Sequence, residues 1–454
     1  MQLNEWSRGL DALRAINAGF ASGPIDLHQE SLSSLFEQFG EEDMFLIMED
    51  MLLYLDAYIC ANPLSFSAPD FHETVRDVLN EYFEGFETID LDLEADALCR
   101  FCEGMYFRYI NPARECGSTF IRKPPNAPII DIKLAHIRGK PQPDQRTPEW
   151  YKFRHDLITA SNAWKAFESQ SCINQLIYEK CKPLQQGPVQ DKEYVNTSSP
   201  MHWGQKYEPV SRMMYEHLYK TCVADFGCLQ HDTYPFLGAS PDGINVDPAS
   251  LRYGRMLEIK NIVNRDITGI PKKEYWIQMQ LQMEVADLNE CDFLETQFSE
   301  QGEEEGDPTQ TSKPDAGVLL TGTMIYFIKD GKPFYEYEPI GCNNTEEWFN
   351  EAMERNQTLT WMKTIRWRLE KMSCVLVLRN KYWFQHAIAV LDNVWQTIVR
   401  ERNNPQGYEH RAPKRRISPS QNANMNMMTA WLSTAQSERK CLIDISQLEL
   451  ATPD

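Results

Sequence analysis

The chain has 454 residues, of which 42% are hydrophobic and 24% are charged, a balance that excludes collagen-like, coiled-coil and wholly disordered proteins. Its formal net charge is −21, but the first 100 residues alone contain 21 acidic and only 4 basic side chains. The other residues together are close to neutral, so the acidic total does not exclude a nucleic-acid site among them.

Residues 1–125 are predicted to form an acidic helical lobe, because apolar residues such as Met48, Leu52 and Leu55 recur at helical spacing. Acidic residues interrupt the longest apolar stretch, and the first residues lack the pattern of a secretory signal. We therefore expect an intracellular protein with no membrane partner. Cys99 and Cys102 have the spacing of a zinc motif, but without a second pair they are predicted to be buried thiols on a helix.

Residues 126–148 are rich in proline and are predicted to be an extended linker with at most one strand, at residues 128–137. Residues 149–402 then mix helical and strand patterns, which predicts an α/β (α+β) domain. Its predicted helices begin after Thr159 and cover residues 202–218 and 272–285; its predicted strands cover residues 233–237, 256–260, 292–298 and 319–329, with a hairpin turn at Asp330-Gly331.

Two segments of low apolar content complete the chain. Residues 299–316 form a predicted acidic loop between two strands, and residues 403–454 form a basic, partly disordered tail. The basic run at Lys414–Arg416 has the composition of a nuclear-import signal, although solvated tails often contain such runs. The expected location is therefore a cell nucleus or the cytoplasm.

The residues most suggestive of chemistry lie in two short segments. In Gly-Ala-Ser-Pro-Asp-Gly, the Pro-Asp-Gly turn fixes Asp242 at the end of a strand. In Leu-Glu-Ile-Lys, strand alternation places Glu258 and Lys260 on one face. Two carboxylates beside one ammonium group suit a hard cation such as Mg²⁺ and predict phosphodiester hydrolysis.

Two predicted helices add candidates for the same site. Glu208 follows Tyr207 on a helix whose apolar residues face the core, so it could supply a third carboxylate. Gln278 belongs to a helix on which glutamines alternate with apolar residues, and a buried glutamine there needs a polar partner such as Lys260 or an active-site water.

A fifth segment, Trp150-x-x-x-Arg154 followed by Ile-Thr-Ala-Ser161, precedes these four. In this order and approximate spacing, the five resemble the PD-(D/E)XK nucleases of the lambda-exonuclease and YqaJ viral recombinase type, which are related to herpesvirus alkaline nucleases. The resemblance covers residues 150–285, and residues 367–384 and 394–402 look like the C-terminal part of members from large DNA viruses. It implies a restriction-endonuclease-like core with a mixed central sheet flanked by helices, to which the N-terminal helical lobe is added.

The resemblance also implies roles for these residues. Asp242, Glu258, the carbonyl of Ile259 and Glu208 would bind two Mg²⁺ ions, for which Mn²⁺ would substitute. Lys260 would orient the attacking water with support from Gln278. Arg154, Ser161 and Ser240 would bind a terminal 5′-phosphate, with Ser161 at a helix N-terminus.

The function that follows is a Mg²⁺-dependent 5′ to 3′ exonuclease that degrades linear duplex DNA in viral recombination, repair or genome processing. Its expected partners are double-stranded DNA ends and a single-strand annealing protein, and either a homotrimer or a monomer fits the family. Two alternatives remain open: an endonuclease or RNA-degrading nuclease of the same core, and a non-catalytic protein that binds DNA ends.

Overall fold

The computed structural model describes residues 40–84, 94–120, 124–143, 147–184, 196–301, 320–404 and 407–413. Most of the predicted acidic loop and the basic run at residues 414–416 lie outside these ranges. Among the described residues, no helix combines the length and apolar character that a membrane crossing requires.

Eleven helices are described in these ranges: α1 Glu41–Ala61, α2 Phe71–Glu84, α3 Glu94–Tyr109, α4 Ala127–Gly139, α5 Pro148–His155, α6 Ala160–Ala163, α7 Gln170–Cys181, α8 Pro200–Tyr219, α9 Lys273–Ala286, α10 Thr345–Arg355 and α11 Lys381–Arg402. The described strands are β1 Cys116–Gly117, β2 Ile158–Thr159, β3 Val223–Ala224, β4 Leu229–Gln230, β5 Leu237–Ala239, β6 Gly243–Asn245, β7 Met256–Asn261, β8 Glu290–Gln301, β9 Thr321–Lys329, β10 Lys332–Tyr337 and β11 Thr360–Leu378.

The main sheet is mixed and has the order β10-β9-β11-β8-β7-β6-β3, with β1 paired to β11. Strands β7 and β8 are parallel, with Glu258 opposite Phe293 and Lys260 opposite Glu295. Parallel neighbours need a crossover connection, and α9 provides it. A smaller sheet has the order β2-β5-β4. The predicted mixed sheet flanked by helices is confirmed.

The predicted N-terminal helical lobe is also confirmed, as α1, α2 and α3. Its buried side chains, among them Met51, Leu55 and Leu98, belong to the same apolar cluster as Trp276 and Met279 of α9. Cys99 and Cys102 are each 1% exposed, as buried thiols should be. The lobe therefore shares its core with the helix that crosses behind the sheet.

The prediction of an extended linker at residues 126–148 is wrong for most of its length, because α4 occupies residues 127–139. Asn126 caps this helix by accepting a hydrogen bond from the Ile129 N–H, and Pro128 lies in its first turn, where proline is tolerated. The prolines therefore mark the start of a helix, and Leu134 and Ile137 bury its apolar face.

Two strand boundaries also differ from the prediction. Residues 233–236 form a loop rather than a strand, because the His231 ring accepts hydrogen bonds from the N–H groups of Thr233 and Tyr234. Residues 299–301 belong to β8 rather than to the acidic loop. The Asp330-Gly331 hairpin turn is confirmed, with φ angles of 52° and 75° that match a type I′ turn.

Candidate active site

Glu258 lies at the centre of a polar cluster between β7 and α9. It is fully buried, and the Leu257 and Ile259 side chains on either side pack into an apolar cluster on the opposite face of the sheet. The side-chain amide of Gln278 donates to Glu258 Oε1 at 2.7 Å, and that of Gln282 donates to Oε2 at 2.7 Å. The crossover helix therefore supplies a hydrogen-bond donor to each oxygen of this carboxylate.

Lys260 forms an ion pair with Glu258 on the same face of β7. Its ammonium group also lies 5.1 Å from the centre of the Tyr275 ring, at a distance that permits a cation–π interaction. Burial alone would lower the pKa of Lys260, but the Glu258 and Asp242 carboxylates outweigh it and raise that pKa. Lys260 is therefore held as a cation at neutral pH.

Asp242 occupies the turn between β5 and β6, next to this pair. Its Oδ2 accepts a hydrogen bond from the Ile259 N–H at 2.7 Å. Burial of the carboxyl group raises the pKa of Asp242 well above its ordinary range, with a further increase from Glu258 and Glu208. Lys260 and the Ile259 N–H oppose this rise without cancelling it. The cluster thus has an excess of negative charge.

A cleft of about 570 Å³ opens beside this turn, and it is lined by Ser240, Asp242, Ile259 and Glu208 among others. Glu208 is exposed at its edge, on α8. The structure therefore brings the predicted carboxylates from three separate segments to one region. Gln278 contacts Glu258, whereas its expected partner was Lys260 or a water.

The described residues contain no group of three His, Cys, Asp or Glu side chains already placed to ligate one metal ion. Both oxygens of Glu258 and one oxygen of Asp242 instead accept hydrogen bonds from protein donors. The donor set still fits Mg²⁺, because it consists of hard carboxylate oxygens whose excess charge a divalent cation would offset.

A second polar cluster surrounds Arg154, at the end of α5. Its guanidinium group stacks on Trp150, 4.6 Å from the ring centre. Its two terminal nitrogens lie 3.4 Å from Ser240 Oγ and 3.5 Å from Ser161 Oγ, at the outer limit of hydrogen bonding. No carboxylate among the described residues forms an ion pair with Arg154. The three residues predicted to bind a 5′-phosphate are therefore adjacent, with weakly engaged donors.

The helix expected after Thr159 is only the four-residue α6, followed by a 3₁₀ turn at Trp164–Phe167. Ser161 is the second residue of this helix, at its N-terminus as predicted, but a single helical turn has little dipole, and the binding of an anion there stays a prediction. Any anion at this cluster must be held mainly by Arg154 and the two hydroxyls.

Lys180 lies buried beneath this cluster, and sequence reasoning missed it. It is 6% exposed, and its ammonium group donates to the Arg154 carbonyl at 2.7 Å. Burial is the main reason why the pKa of Lys180 falls to about 8, and repulsion from Arg154 and Arg402 lowers it further. Glu179 and Cys228 offset this charge only in part, so the buried ammonium group adds positive potential under Arg154.

Gln282 belongs to the same run of alternating glutamines in the sequence, but only Gln278 was predicted to act in the site. Residues four apart on a helix share one face, so the partner of Gln278 toward Glu258 should be Gln282. Besides Glu258, its amide reaches the Ser240 carbonyl at 3.1 Å. Gln282 thus links the turn that contains Asp242 to the carboxylate of Glu258.

Comparison with known proteins gives a family match for one part of the chain. Residues 149–289 match the model of the YqaJ-like viral recombinase domain. This range contains all five motifs, so the resemblance identified from the sequence is confirmed. The match covers about a third of the chain and includes neither α1–α4 nor the strands from β8 onward.

Similar individual proteins come from a virus and a bacterium. An uncharacterized protein of Acanthamoeba polyphaga mimivirus is 27% identical over 309 residues, which are 59% of this chain and 55% of that protein. The chain thus spans about half the length of this relative. Two crystal structures of an alkaline exonuclease from Laribacter hongkongensis, one with dAMP, are also similar to this chain, with a sequence identity of 18–19% and TM-scores of 0.33–0.34. Each comparison covers 57% of this chain and 95% of the exonuclease chain.

Proposed function

We propose that this protein is a Mg²⁺-dependent exonuclease that degrades linear duplex DNA from its 5′ ends. The observation that carries the proposal is the convergence of Asp242, Glu258 and Lys260, inside the range that matches the YqaJ-like viral recombinase domain. The similarity to an alkaline exonuclease agrees with it but does not carry it.

The carboxylates of Asp242 and Glu258 would hold the metal ion, and the Ile259 carbonyl and Glu208 are further candidate ligands. When bound there, Mg²⁺ supplies Lewis-acid stabilisation of the charge that develops on the scissile phosphate and lowers the pKa of water. Two ions fit the number of carboxylates, and Mn²⁺ has similar ligand preferences.

Three protein groups then have distinct tasks. Lys260 remains charged and offsets negative charge on the phosphate while it orients the attacking water. Gln278 and Gln282 hold Glu258 in a single orientation, since each oxygen accepts one amide N–H. Such fixed donors and charges lower the barrier because they need no rearrangement during the reaction.

Arg154, Ser161 and Ser240 would bind the 5′-terminal phosphate. Ser240 and Asp242 are two residues apart, so the phosphate pocket and the hydrolytic site can contact successive phosphates of one strand. This spacing favours an exonuclease over an endonuclease, because a pocket for a terminal phosphate selects chain ends. A non-catalytic end-binding protein would have no need for the buried ion pair of Glu258 and Lys260.

The test uses linear duplex labelled at either the 5′ or the 3′ end, with closed circular duplex and RNA as controls, in Mg²⁺ or in EDTA. We expect early release of the 5′ label, only in Mg²⁺ and only from linear DNA. Early release of the 3′ label would refute the polarity. Cleavage of circles or RNA would favour the endonuclease or RNase alternative, and binding without turnover would favour the non-catalytic one.

A further inference from the structure

Helix α8 packs on the face of the main sheet that is opposite to the Glu258 side chain. Leu257 and Ile259 of β7 share an apolar cluster with Tyr215 of α8. Side chains alternate along a strand, so Glu258 points away from α8 and toward α9. Glu208 of α8 therefore approaches the site from the other side of the sheet.

An opening at the edge of β7 allows Glu208 to reach this site. Strand β6 pairs with β7 only at Met256 and Leu257. Beyond Leu257, the edge of β7 that faces β6 has no paired strand among the described residues, and the Ile259 N–H donates there to Asp242. Glu208 lines the same cleft as Asp242 and Ile259. The position of α8 relative to β7 thus sets how close Glu208 comes to the other carboxylates.

Asn261, the last residue of β7, holds α8 at this place. It alternates with Lys260 along the strand, so its side chain points toward α8. Its Nδ2 donates to the Gly204 carbonyl at 2.9 Å, and its Oδ1 accepts a hydrogen bond from Ser211 Oγ at 2.6 Å. One side chain of β7 therefore bonds to α8 at two points.

The two points of attachment lie on either side of Glu208. Gly204 is four residues before Glu208 and Ser211 is three residues after it, so the three share one face of α8. Pro209, next to Glu208, has no N–H and removes one hydrogen bond from the helix at this turn. Asn261 thus fixes the turn that carries Glu208, where α8 has fewer bonds of its own.

Strand β8 completes the network through Thr296. The Thr296 Oγ1 donates to Asn261 Oδ1 at 2.7 Å and lies 2.9 Å from Ser211 Oγ. Ser211 and Thr296 are fully buried, so these bonds cannot be exchanged for bonds to bulk water. A buried polar network whose members bond to one another makes its surroundings rigid. This network therefore holds α8, β7 and β8 in one relative position.

We propose that Asn261 is a positioning residue for Glu208, and that its bond to Ser211 sets the affinity of the site for the metal ion that Glu208 helps to bind. This inference rests on the proposed function and adds a residue on the far face of the sheet. Removal of groups that orient metal ligands typically lowers metal affinity or activity about 10–100-fold. Asn261 acts on the helical turn rather than on the carboxylate itself, so the lower end of this range is expected.

The test measures the binding of Mg²⁺ by calorimetry without DNA, in the full chain. Asn261→Ala removes the side chain on β7, and Ser211→Ala removes the bonded hydroxyl on α8. Asn344→Ala is the control, because Asn344 accepts a hydrogen bond from the Glu347 N–H at the start of α10. The control thus loses a structural hydrogen bond of an asparagine and keeps those between α8 and β7.

We expect the Kd for Mg²⁺ to be about tenfold higher in Asn261→Ala and in Ser211→Ala than in the wild type and the control. In DNA hydrolysis, the same two variants should need about tenfold more Mg²⁺ for the half-maximal rate and should approach the wild-type rate at saturating Mg²⁺. A general loss of structure would instead lower the rate at every Mg²⁺ concentration. If one of the two variants does not fold, the other still decides the matter.

A double-mutant cycle shows whether Asn261 acts through Glu208. Glu208→Gln removes the carboxylate, so the addition of Asn261→Ala to this variant should not raise the Kd for Mg²⁺ further. A further tenfold rise in the double variant would mean that Asn261 acts on another ligand, and it would overturn the inference.

Two outcomes separate this inference from the proposed function. Mg²⁺-dependent DNA hydrolysis with an unchanged Kd for Mg²⁺ in a folded Asn261→Ala or Ser211→Ala variant would overturn the inference and leave the exonuclease proposal intact. Binding of Mg²⁺ that depends on Asn261 and Glu208, in a protein that hydrolyses no DNA, would support the inference and refute the exonuclease.

Discussion

Replacement of Lys180 by methionine should stabilise the protein at neutral pH. The structure buries this ammonium group against the Arg154 carbonyl, with Arg154 and Arg402 as positive neighbours and with Glu179 and Cys228 as the acidic ones. Its pKa falls from an ordinary 10.5 to about 8, which corresponds to about 3 kcal/mol of destabilisation while Lys180 is charged. Loss of the hydrogen bond to the carbonyl costs about 1 kcal/mol, leaving a net gain of about 2 kcal/mol.

The pH dependence of this gain has a definite sign. Between pH 8 and 10.5 the unfolded chain keeps the Lys180 proton while the folded protein has lost it, so wild-type stability rises with pH relative to the variant. The gain from Lys180→Met is therefore fully present below pH 8 and decreases toward pH 10.5.

Urea unfolding of both proteins at several pH values measures this difference, and other titrating groups cancel in it. Lys381→Met, at an exposed position at the start of α11, should show no such trend. A stability difference that does not change with pH would refute the reasoning about Lys180.

A second assay addresses function: if Lys180 adds positive potential under Arg154, the variant should also lose part of its preference for 5′-phosphorylated ends.

Three further predictions concern the site itself. Asp242→Asn should raise the free energy of unfolding in metal-free buffer, because it removes a carboxylate whose pKa is raised by burial and by Glu258. This gain should disappear at acid pH, where the wild-type carboxyl group is protonated in both the folded and the unfolded state. The Tm of the wild type should rise with Mg²⁺, whereas the Tm of the variant should not. Arg154→Gln should slow hydrolysis of 5′-phosphorylated duplex but not of 5′-hydroxyl duplex, and equal losses on both would count against the phosphate pocket. Gln282→Leu leaves one oxygen of buried Glu258 without its amide donor, so urea unfolding should show a loss of about 1–3 kcal/mol.

Part of the site could be predicted from the sequence because local rules decide it. Strand alternation places Glu258 and Lys260 on one face, and a Pro-Asp-Gly turn can hold Asp242 at the end of a strand. Helical periodicity located α8 and α9 within about two residues of their ends. Only the order of the five motifs indicated that these segments meet.

The rest depended on tertiary contacts that no local pattern encodes. Prolines around residue 126 predicted an extended chain, yet Asn126 caps a helix whose apolar side chains find a partner in the core. Gln142, which lines the cleft beside Asp242, reaches it only because Gly227 leaves room for it. Lys180 looks like a surface lysine in the sequence, and its burial follows from the packing of α7 against α11.

Hydrolysis of 5′-phosphorylated linear duplex by matched variants tests the central claim most directly. Wild-type protein and Asp392→Asn, a carboxylate change on α11, should release nucleotides in Mg²⁺ and none in EDTA. Asp242→Asn, Glu258→Gln and Lys260→Met should each lose about a hundredfold or more in rate while remaining folded. Full activity in any of these three folded variants, or hydrolysis by the wild type in EDTA, would contradict the account.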